Sequence, residues 1–356
     1  MKDIYVNPDI KKTERVFPMQ GRYDYYRYDM NENPEGLPKP FVDSVVKEIT
    51  PEFLSVYPEP DRFLDKYAKY IGYGCNKENL IATNGTDMAI RYILETYGEK
   101  GKDVVTVSPT FEMYWVNCSI LGLHHKPVSY EPDLTIDVDK ILDAIDEDTR
   151  IVALVNPNNP IGNVYSENDI RRVIAKARTV GAIVFIDEAY HYFYPNSFVR
   201  FALEEENVIV TRTFSKLFSI AATRMGVIIT NPNLAHYIRN SKLTFDCNAV
   251  ALLFAERLID HPEIEKELIR IEEEGKAYTS KTLKEHGYEV RSSEGNFMFI
   301  RTKKDAHLVS SRLEKEEKIL VHPYNNPVLK PFLRVSIGSK KSMEFFLDKF
   351  FRIDND

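Results

Sequence analysis

The chain has 356 residues, of which 43% are hydrophobic and 28% are charged, and this length allows two domains with substantial cores. Its formal net charge of −7, with no basic stripe to offset it, argues against a nucleic-acid partner. The 3 cysteines lack metal-ligand spacing, and we find neither a signal peptide nor an apolar run near the roughly 20 residues of a membrane span, so we expect a cytoplasmic protein without a metal or membrane partner.

Apolar runs typical of strands alternate with helical patterns between residues 80 and 229. The predicted strands lie at residues 80–83, 103–108, 124–129, 150–155, 182–187, 207–212 and 224–229. Helical stretches between them include residues 86–98, 111–122 and 168–180. This alternation predicts an α/β fold, with a mostly parallel seven-stranded sheet and helices on both of its faces.

The carboxyl-terminal part has a different pattern. Long helical segments run from Ala249 to about Gly287, with Pro262 at a helix start or kink. Short alternating strands and a last helix around residues 342–351 follow, which predicts a smaller α+β domain joined by the amino-terminal arm. We expect a large domain at residues 46–250, with the arm and the small domain formed by residues 1–45 and 251–356.

The first predicted strand runs into a glycine turn. Gly85 makes the turn, and a helix begins near Thr86 and Asp87. The free backbone N–H groups and the dipole at such a helix start can hold a phosphate group. A threonine and an aspartate at this position are also common as simple capping residues, so both interpretations stay open.

Two later strands also end in polar residues. The turn at residues 156–162 reads Asn-Pro-Asn-Asn-Pro-Ile-Gly, and its composition alone supports only a turn. Asp187 closes the apolar run at residues 182–187, at the sheet edge where open α/β folds bind ligands. A carboxylate there can keep a pyridine nitrogen protonated, so that the ring accepts electrons, or it can cap the next helix.

Lys216 follows the strand at residues 207–212. Small hydroxyl residues precede it, and an arginine stands eight positions later. Partial burial and nearby cations can keep such an amine neutral, and a neutral amine can form a Schiff base. A surface lysine that lays its stem along apolar neighbours is the alternative interpretation.

These features belong to a series of motifs in a fixed order. The series consists of the glycine turn at Gly85, the segment 108–114, the turn at residues 156–162, Asp-Glu-Ala-Tyr at residues 187–190, and Ser-Lys at residues 215–216 followed by Arg224. The order resembles the fold-type I pyridoxal-phosphate enzymes, and among them the class II aminotransferases of the histidinol-phosphate aminotransferase type. The resemblance extends over nearly the whole chain, from residues 31–34 to residues 333–338.

The resemblance implies pyridoxal 5′-phosphate as cofactor and a role for each matching residue. Lys216 would form the Schiff base and carry the proton between the substrate α-carbon and the cofactor. Asp187 would pair with the ring nitrogen, and Asn159 and Tyr190 would hydrogen-bond the ring hydroxyl. Phe111 would stack on the ring.

The resemblance also implies a phosphate site and a homodimer with shared active sites. Tyr57 would reach the phosphate of the neighbouring subunit. Within one chain, the phosphate would be held by the backbone at Gly85, Thr86 and Asp87, by the hydroxyls of Thr213 and Ser215, and by the guanidinium of Arg224.

The substrate is less well defined. In the family, Arg334 would bind the substrate carboxylate, beside Asn159. His322 stands where histidinol-phosphate enzymes commonly have an arginine, and Met19 where they often have a tyrosine. Because these replacements remove polar contacts to a dianion, histidinol phosphate is not a safe assignment. His322 could still contact an acidic group, or it could be an ordinary loop residue.

We therefore expect an aminotransferase that moves an amino group from an amino acid or amino phosphate donor to a 2-oxo acid acceptor. A pyridoxal-phosphate decarboxylase of a phosphorylated amino acid, of the threonine-phosphate or serine-phosphate type, is the alternative, since the same cofactor residues serve both reactions. A module that kept the fold but lost catalysis is a third hypothesis. A nicotinamide dehydrogenase is disfavoured, because no Gly-x-Gly-x-x-Gly follows a strand.

Overall fold

The computed structural model describes residues 4–13 and 17–355. The elements that precede the central sheet are α1 (Pro8–Lys11), a 3-10 turn (Arg22–Asp24), β1 (Tyr26–Arg27), α2 (Lys39–Val46), α3 (Pro51–Ser55) and α4 (Asp61–Ile71).

Seven strands form the central sheet in the order β2-β8-β7-β6-β5-β3-β4. They are β2 (Leu80–Asn84), β3 (Asp103–Ser108), β4 (His124–Ser129), β5 (Thr149–Val155), β6 (Ile183–Asp187), β7 (Val208–Thr213) and β8 (Met225–Thr230). The neighbouring pairs from β7 to β4 are parallel, whereas β8 is antiparallel to both of its neighbours. The predicted seven-stranded, mostly parallel sheet is confirmed.

Helices cover both faces of this sheet. Val152 and Leu154 of β5 belong to one apolar cluster, and Ile151 and Ala153 belong to the cluster on the other face, as expected for alternating side chains of a doubly covered strand. In the described ranges, no helix combines the length and the apolar character needed to cross a membrane. The helices are α5 (Gly85–Tyr97), α6 (Met113–Leu121), α7 (Val138–Ala144), α8 (Glu167–Thr179), α9 (Val199–Glu204) and α10 (Pro232–Ser241).

Two long helices lead to the small domain. They are α11 (Ala249–Asp260) and α12 (Pro262–Glu285), and Pro262 starts α12 rather than kinking it. A four-stranded antiparallel sheet follows in the order β12-β13-β10-β9, and β1 of the arm pairs with β11. The remaining elements are β9 (Val290–Ser292), β10 (Phe297–Arg301), α13 (Ala306–Glu317), β11 (Ile319–Leu320), β12 (His322–Pro323), β13 (Phe332–Ser336) and α14 (Lys340–Asn355).

The division into domains stays a prediction, and the packing of α11 refines it. Leu252, Phe254 and Leu258 of α11 lie in the apolar cluster of the central sheet. The apolar cluster of the small domain contains Leu283 from the far end of α12 instead. We propose that the large domain extends to the junction between α11 and α12.

The strand order gathers the polar strand ends at one edge of the sheet. The parallel strands β5, β6 and β7 end there side by side. Because β8 is antiparallel, it begins at the edge where β2 ends, and Asn84 pairs with Met225. The residues that follow β2 and precede β8, Gly85 and Arg224, therefore become neighbours.

Candidate functional site

Lys216 lies in the segment after β7 and is partly buried. Its Nζ donates a hydrogen bond of 2.8 Å to the carbonyl oxygen of Met30 and lies 5.7 Å from the centre of the Tyr190 ring. Burial, with the nearby positive charge of Arg334, lowers the pKa of the Lys216 amine to about 8. A much larger fraction of this amine is neutral near pH 7 than for an ordinary lysine, which is what a nucleophile requires.

Asp187 ends β6 and is only 2% exposed. One carboxylate oxygen accepts a hydrogen bond of 3.2 Å from the Tyr114 hydroxyl. The other accepts from the Thr211 hydroxyl at 3.2 Å and from the Ala189 N–H at 3.1 Å. Burial raises the pKa of Asp187 to about 6 in spite of these donors. No cation of the described residues is among the groups that shift this pKa, so the carboxylate is suited to a cationic partner.

Tyr190 and Asn159 converge on the same region from different elements. The Tyr190 hydroxyl accepts a hydrogen bond of 2.9 Å from the side chain of Asn31, which leaves its own proton free to be donated. The Asn159 side-chain oxygen accepts from Arg334 Nη1 at 2.6 Å, which leaves its amide nitrogen as a donor. Two donors thus face this part of the site.

Arg334 of β13 is buried beneath this region. Its Nη2 donates to the carbonyl oxygen of Asp29, and its Nε has no hydrogen-bond partner within the described ranges. A buried guanidinium without a carboxylate partner is costly unless a ligand supplies the anion. This arginine is therefore suited to an anionic group of a substrate.

A second basic group lies where β2, β7 and β8 meet. Arg224 Nη2 is 2.9 Å from the Asp87 carboxylate near the start of α5. A Cβ on Gly85 would stand 2.6 Å from Arg224 Nη2, and one on Gly226 would stand 2.6 Å from the Gly85 backbone. Only glycines allow this close approach. The cradle thus combines a helix start with a guanidinium, which suits a phosphate.

The remaining residues with a predicted role at the cofactor differ in their burial and in their neighbours. Thr213 ends β7 inside the cradle and its hydroxyl accepts from the Ser215 N–H at 3.1 Å. Thr86 lies in the first turn of α5. Phe111 is partly buried against the apolar cluster that contains Tyr114. Tyr57 is 72% exposed and stacks on Phe245 with ring centres 4.4 Å apart, and its role at the phosphate of a neighbouring subunit stays a prediction.

His322 and Met19, the two residues at which the sequence departs from histidinol-phosphate enzymes, are both exposed. His322 pairs with Arg334 across β12 and β13, and its ring centre is 4.6 Å from that of Tyr324. His322 therefore lies beside Arg334, the arginine that is suited to an anionic group of a substrate. Met19 has an exposed side chain in the arm.

Sequence reasoning gave no role to Tyr114, Thr211 or Asn31. Tyr114 lies three residues after Phe111 in the same motif, and Thr211 pairs with Asp187 across β6 and β7, so motif position and sheet order could have indicated both. Asn31 lies 159 residues from Tyr190 in the chain, and no local pattern indicated their contact.

Comparisons with known proteins agree with this arrangement. Residues 31–350 match the family model described as aminotransferase class I and II. The histidinol-phosphate aminotransferase of Thermoanaerobacter sp. (strain X514) is 30% identical over 327 residues, which is 91% of each chain. That of Thermotoga maritima is 29% identical over 350 residues, which is 96% of this chain and 98% of the relative.

Solved structures show the same fold. The histidinol-phosphate aminotransferase from Sinorhizobium meliloti in complex with pyridoxal-5′-phosphate has a TM-score of 0.87 at 21% identity, covering 98% of this chain and 97% of its own. Thermus thermophilus aspartate aminotransferase with maleate has a TM-score of 0.81 at 16% identity, covering 99% and 100%. Because enzymes named for different substrates have this fold, the fold does not decide the substrate.

Proposed function

The chain belongs to the class I and II aminotransferase family, and on that basis we propose a role for each residue of its site. The protein is an aminotransferase that depends on pyridoxal 5′-phosphate and transfers an amino group from an amino donor to a 2-oxo acid. The predicted cofactor and reaction are therefore confirmed, and the family favours transamination over decarboxylation. The donor stays open between an amino acid and an amino phosphate compound.

One observation carries the proposed reacting centre. The Lys216 amine, with its lowered pKa, lies beside the Tyr190 ring, and Tyr190 follows the buried Asp187 by three residues. Tyr190 thus lies between the Lys216 amine and the segment that carries the Asp187 carboxylate, and we propose that both groups face the cofactor. When bound, pyridoxal 5′-phosphate supplies an electron-accepting ring attached to the substrate nitrogen.

The residues around Asp187 fit the ring end of this cofactor. Burial disfavours the ionised form of the Asp187 carboxylate, and a protonated ring nitrogen would stabilise that form. Asn159 and Tyr190 each keep one donor free for the ring hydroxyl. Phe111 would cover the ring face.

The cradle fits the phosphate end. The backbone of Gly85, Thr86 and Asp87 would offer N–H groups, and Arg224 would offer its guanidinium. The hydroxyls of Thr213 and Ser215 would complete the set. Asp87 now holds Arg224, so the phosphate would compete with that carboxylate for the guanidinium.

Lys216 and Arg334 would act on the substrate. Arg334 would hold its acidic group through the Nε, for which the described part of the chain provides no hydrogen-bond partner, with Asn159 and His322 alongside. The Lys216 amine would take the proton from the substrate α-carbon and deliver it to the cofactor carbon C4′, on the other side of the substrate nitrogen. Met30 orients this amine through its carbonyl oxygen.

We further propose a cytoplasmic homodimer. The exposed, stacked pair of Tyr57 and Phe245 favours a second copy of the chain as its cover, and Tyr57 would then reach the partner's phosphate site. The free cysteines Cys75, Cys118 and Cys247 favour a reducing compartment.

A half-reaction tests the proposed function. Addition of L-glutamate to the holoenzyme should convert the absorption band of the bound cofactor to that of its amino form and release one equivalent of 2-oxoglutarate. Lys216→Ala should abolish the conversion, and Lys66→Ala, which removes a lysine of the distant α4, should not. Carbon dioxide release without a keto acid, or full conversion by Lys216→Ala, would contradict the proposal.

A further inference from the structure

A buried ion pair lies directly behind Asp187 and Thr211. Glu188 and Arg212 are the next residues along the two neighbouring strands, so their side chains project from the opposite face of the sheet. These side chains are 0% and 8% exposed, and Arg212 Nε donates to a Glu188 carboxylate oxygen at 3.0 Å. None of the proposed roles involves this pair.

Glu188 closes the loop that carries Tyr190. Its carboxylate accepts a hydrogen bond of 2.6 Å from the Phe198 N–H, and both carboxylate oxygens lie within 3.0 Å of the Ser197 hydroxyl. The Glu188 carbonyl oxygen accepts from the His191 N–H at 3.2 Å. One residue therefore fixes both ends of the segment between β6 and α9, with Tyr190 inside it.

Arg212 joins this loop to β7. Its Nη2 donates to the Ser197 hydroxyl at 2.8 Å. Thr213 follows Arg212 directly, and Lys216 comes three residues later. The pair thus connects the segment that carries Asp187 and Tyr190 to the segment that carries Thr213 and Lys216.

A buried ion pair is a poor source of net stability, because the cost of removing two charges from water offsets their attraction. Its place between two functional segments suggests another role. We propose that Glu188 and Arg212 form a positioning pair, which holds the residues at the ring end of the cofactor in register with those at its amine and phosphate end. The inference rests on the proposed function of those residues.

The test compares cofactor binding in variants of the full chain. Glu188→Gln with Arg212→Met removes both charges together, and the glutamine oxygen can still accept from Phe198. The apoprotein should fold with a Tm close to that of the wild type, whereas the Kd for pyridoxal 5′-phosphate should rise about tenfold or more, and the pH midpoint of the bound cofactor's absorption should shift. Arg212→Lys, which keeps the charge, should restore most of the affinity.

A second ion pair provides the matched control. Asp103 of β3 and Lys126 of β4 are 3.0 Å apart near the sheet edge opposite to the site, and their side chains are 10% and 30% exposed. Asp103→Asn with Lys126→Met should leave the cofactor Kd and the absorption midpoint unchanged.

Unchanged Kd and midpoint in the folded Glu188→Gln, Arg212→Met variant would overturn the inference. If that variant does not fold, Ser197→Ala decides, because it removes the hydroxyl shared by both partners and keeps both charges. A raised Kd is expected for Ser197→Ala, and an unchanged Kd overturns the positioning role. If the wild-type protein binds no cofactor, the proposed function itself is contradicted. If the wild type binds the cofactor and the variants bind it with the same Kd, only the positioning role of Glu188 and Arg212 is contradicted.

Discussion

The two ends of the site hold their charges in opposite ways. Asp187 is almost fully buried and receives hydrogen bonds from Tyr114, Thr211 and the Ala189 backbone. The ion pair of Arg224 and Asp87 has side chains that are 40% and 43% exposed. The first group is fixed by the core of the sheet, and the second lies where solvent can exchange with a ligand.

This difference predicts how each end responds to change. In the buried end the effective dielectric is low, so the loss of one charge or donor has a large effect that salt hardly alters. In the cradle, water and salt weaken each interaction, and a ligand phosphate can displace Asp87 from Arg224 at small cost. The ring end is thus prearranged, and the phosphate end is adjustable.

The largest effect is expected for Asp187→Asn. The amide has no charge to stabilise a protonated ring nitrogen, and we expect kcat to fall roughly 10²–10³-fold. Steady-state kinetics with saturating cofactor measures this loss. Asp103→Asn is the control, because Asp103 begins β3 at the sheet edge opposite to the site, and this variant should keep its kcat. A near-normal kcat for Asp187→Asn would show that the Asp187 carboxylate does not provide the main electrostatic stabilisation in the site.

Asp187 should also make the apoprotein sensitive to pH. The pKa is raised to about 6 in the folded protein, so the folded state binds more protons than the unfolded state between about pH 4 and pH 6. Stability from this group therefore falls as the pH rises through that window, by up to roughly 3 kcal/mol. Chemical denaturation of apoprotein across this range should show the fall, and Asp187→Asn should remove it.

The next largest effect is expected for the Lys216 amine and concerns the rate at which the apoprotein takes up the cofactor. The Lys216 pKa of about 8 means that apoprotein should take up pyridoxal 5′-phosphate faster as the pH rises, with a midpoint near pH 8. Arg334→Gln removes a neighbouring cation and should move this midpoint upwards. Stopped-flow absorbance follows the uptake. Arg334→Lys keeps the charge, so a similar upward shift in this control would show that Arg334 does not act through its charge.

A smaller effect is expected for Tyr114→Phe. The variant loses one neutral donor to Asp187, which corresponds to about 1 kcal/mol, or roughly a fivefold increase in the cofactor Kd. Equilibrium titration of the apoprotein measures the change. Tyr97→Phe loses a hydroxyl that donates to the Leu234 carbonyl oxygen away from the site, and it should keep the wild-type Kd. Equal cofactor Kd values for the two variants would show that the Tyr114 hydroxyl does not contribute to cofactor binding.

The smallest effect should come from Asp87→Asn. This change frees Arg224 from its exposed partner and should tighten binding of inorganic phosphate to the apoprotein about twofold to fivefold. Competition between phosphate and the cofactor measures the affinity. The gain should vanish near 1 M salt, and Glu95→Gln, on the same helix, should produce none. If the gain in phosphate affinity does not depend on salt, the phosphate cradle is as well shielded from solvent as the residues around Asp187.

The central sheet was accessible from sequence because its signals are local. Six of its seven strands contain a short apolar run, β4 with the sequence His-His-Lys-Pro-Val-Ser being the exception, and all seven were predicted to within one residue of their ends. The polar residues Asp187 and Lys216 could be recognised because they follow such runs. The small domain gave weaker signals, since its strands are two to five residues long and its helix α12 is continuous with the α11 region in composition.

The sequence by itself determined the strands, the order of the motifs and the identity of the groups with chemical potential, because each depends on neighbours a few residues away. Only the tertiary structure decided that β8 runs antiparallel, which brings Arg224 to Gly85, and that Asn31 and Tyr114 support Tyr190 and Asp187 from distant parts of the chain. It also decided the pKa of Lys216 and of Asp187, because burial and the charge of Arg334 exist only once distant segments have packed together.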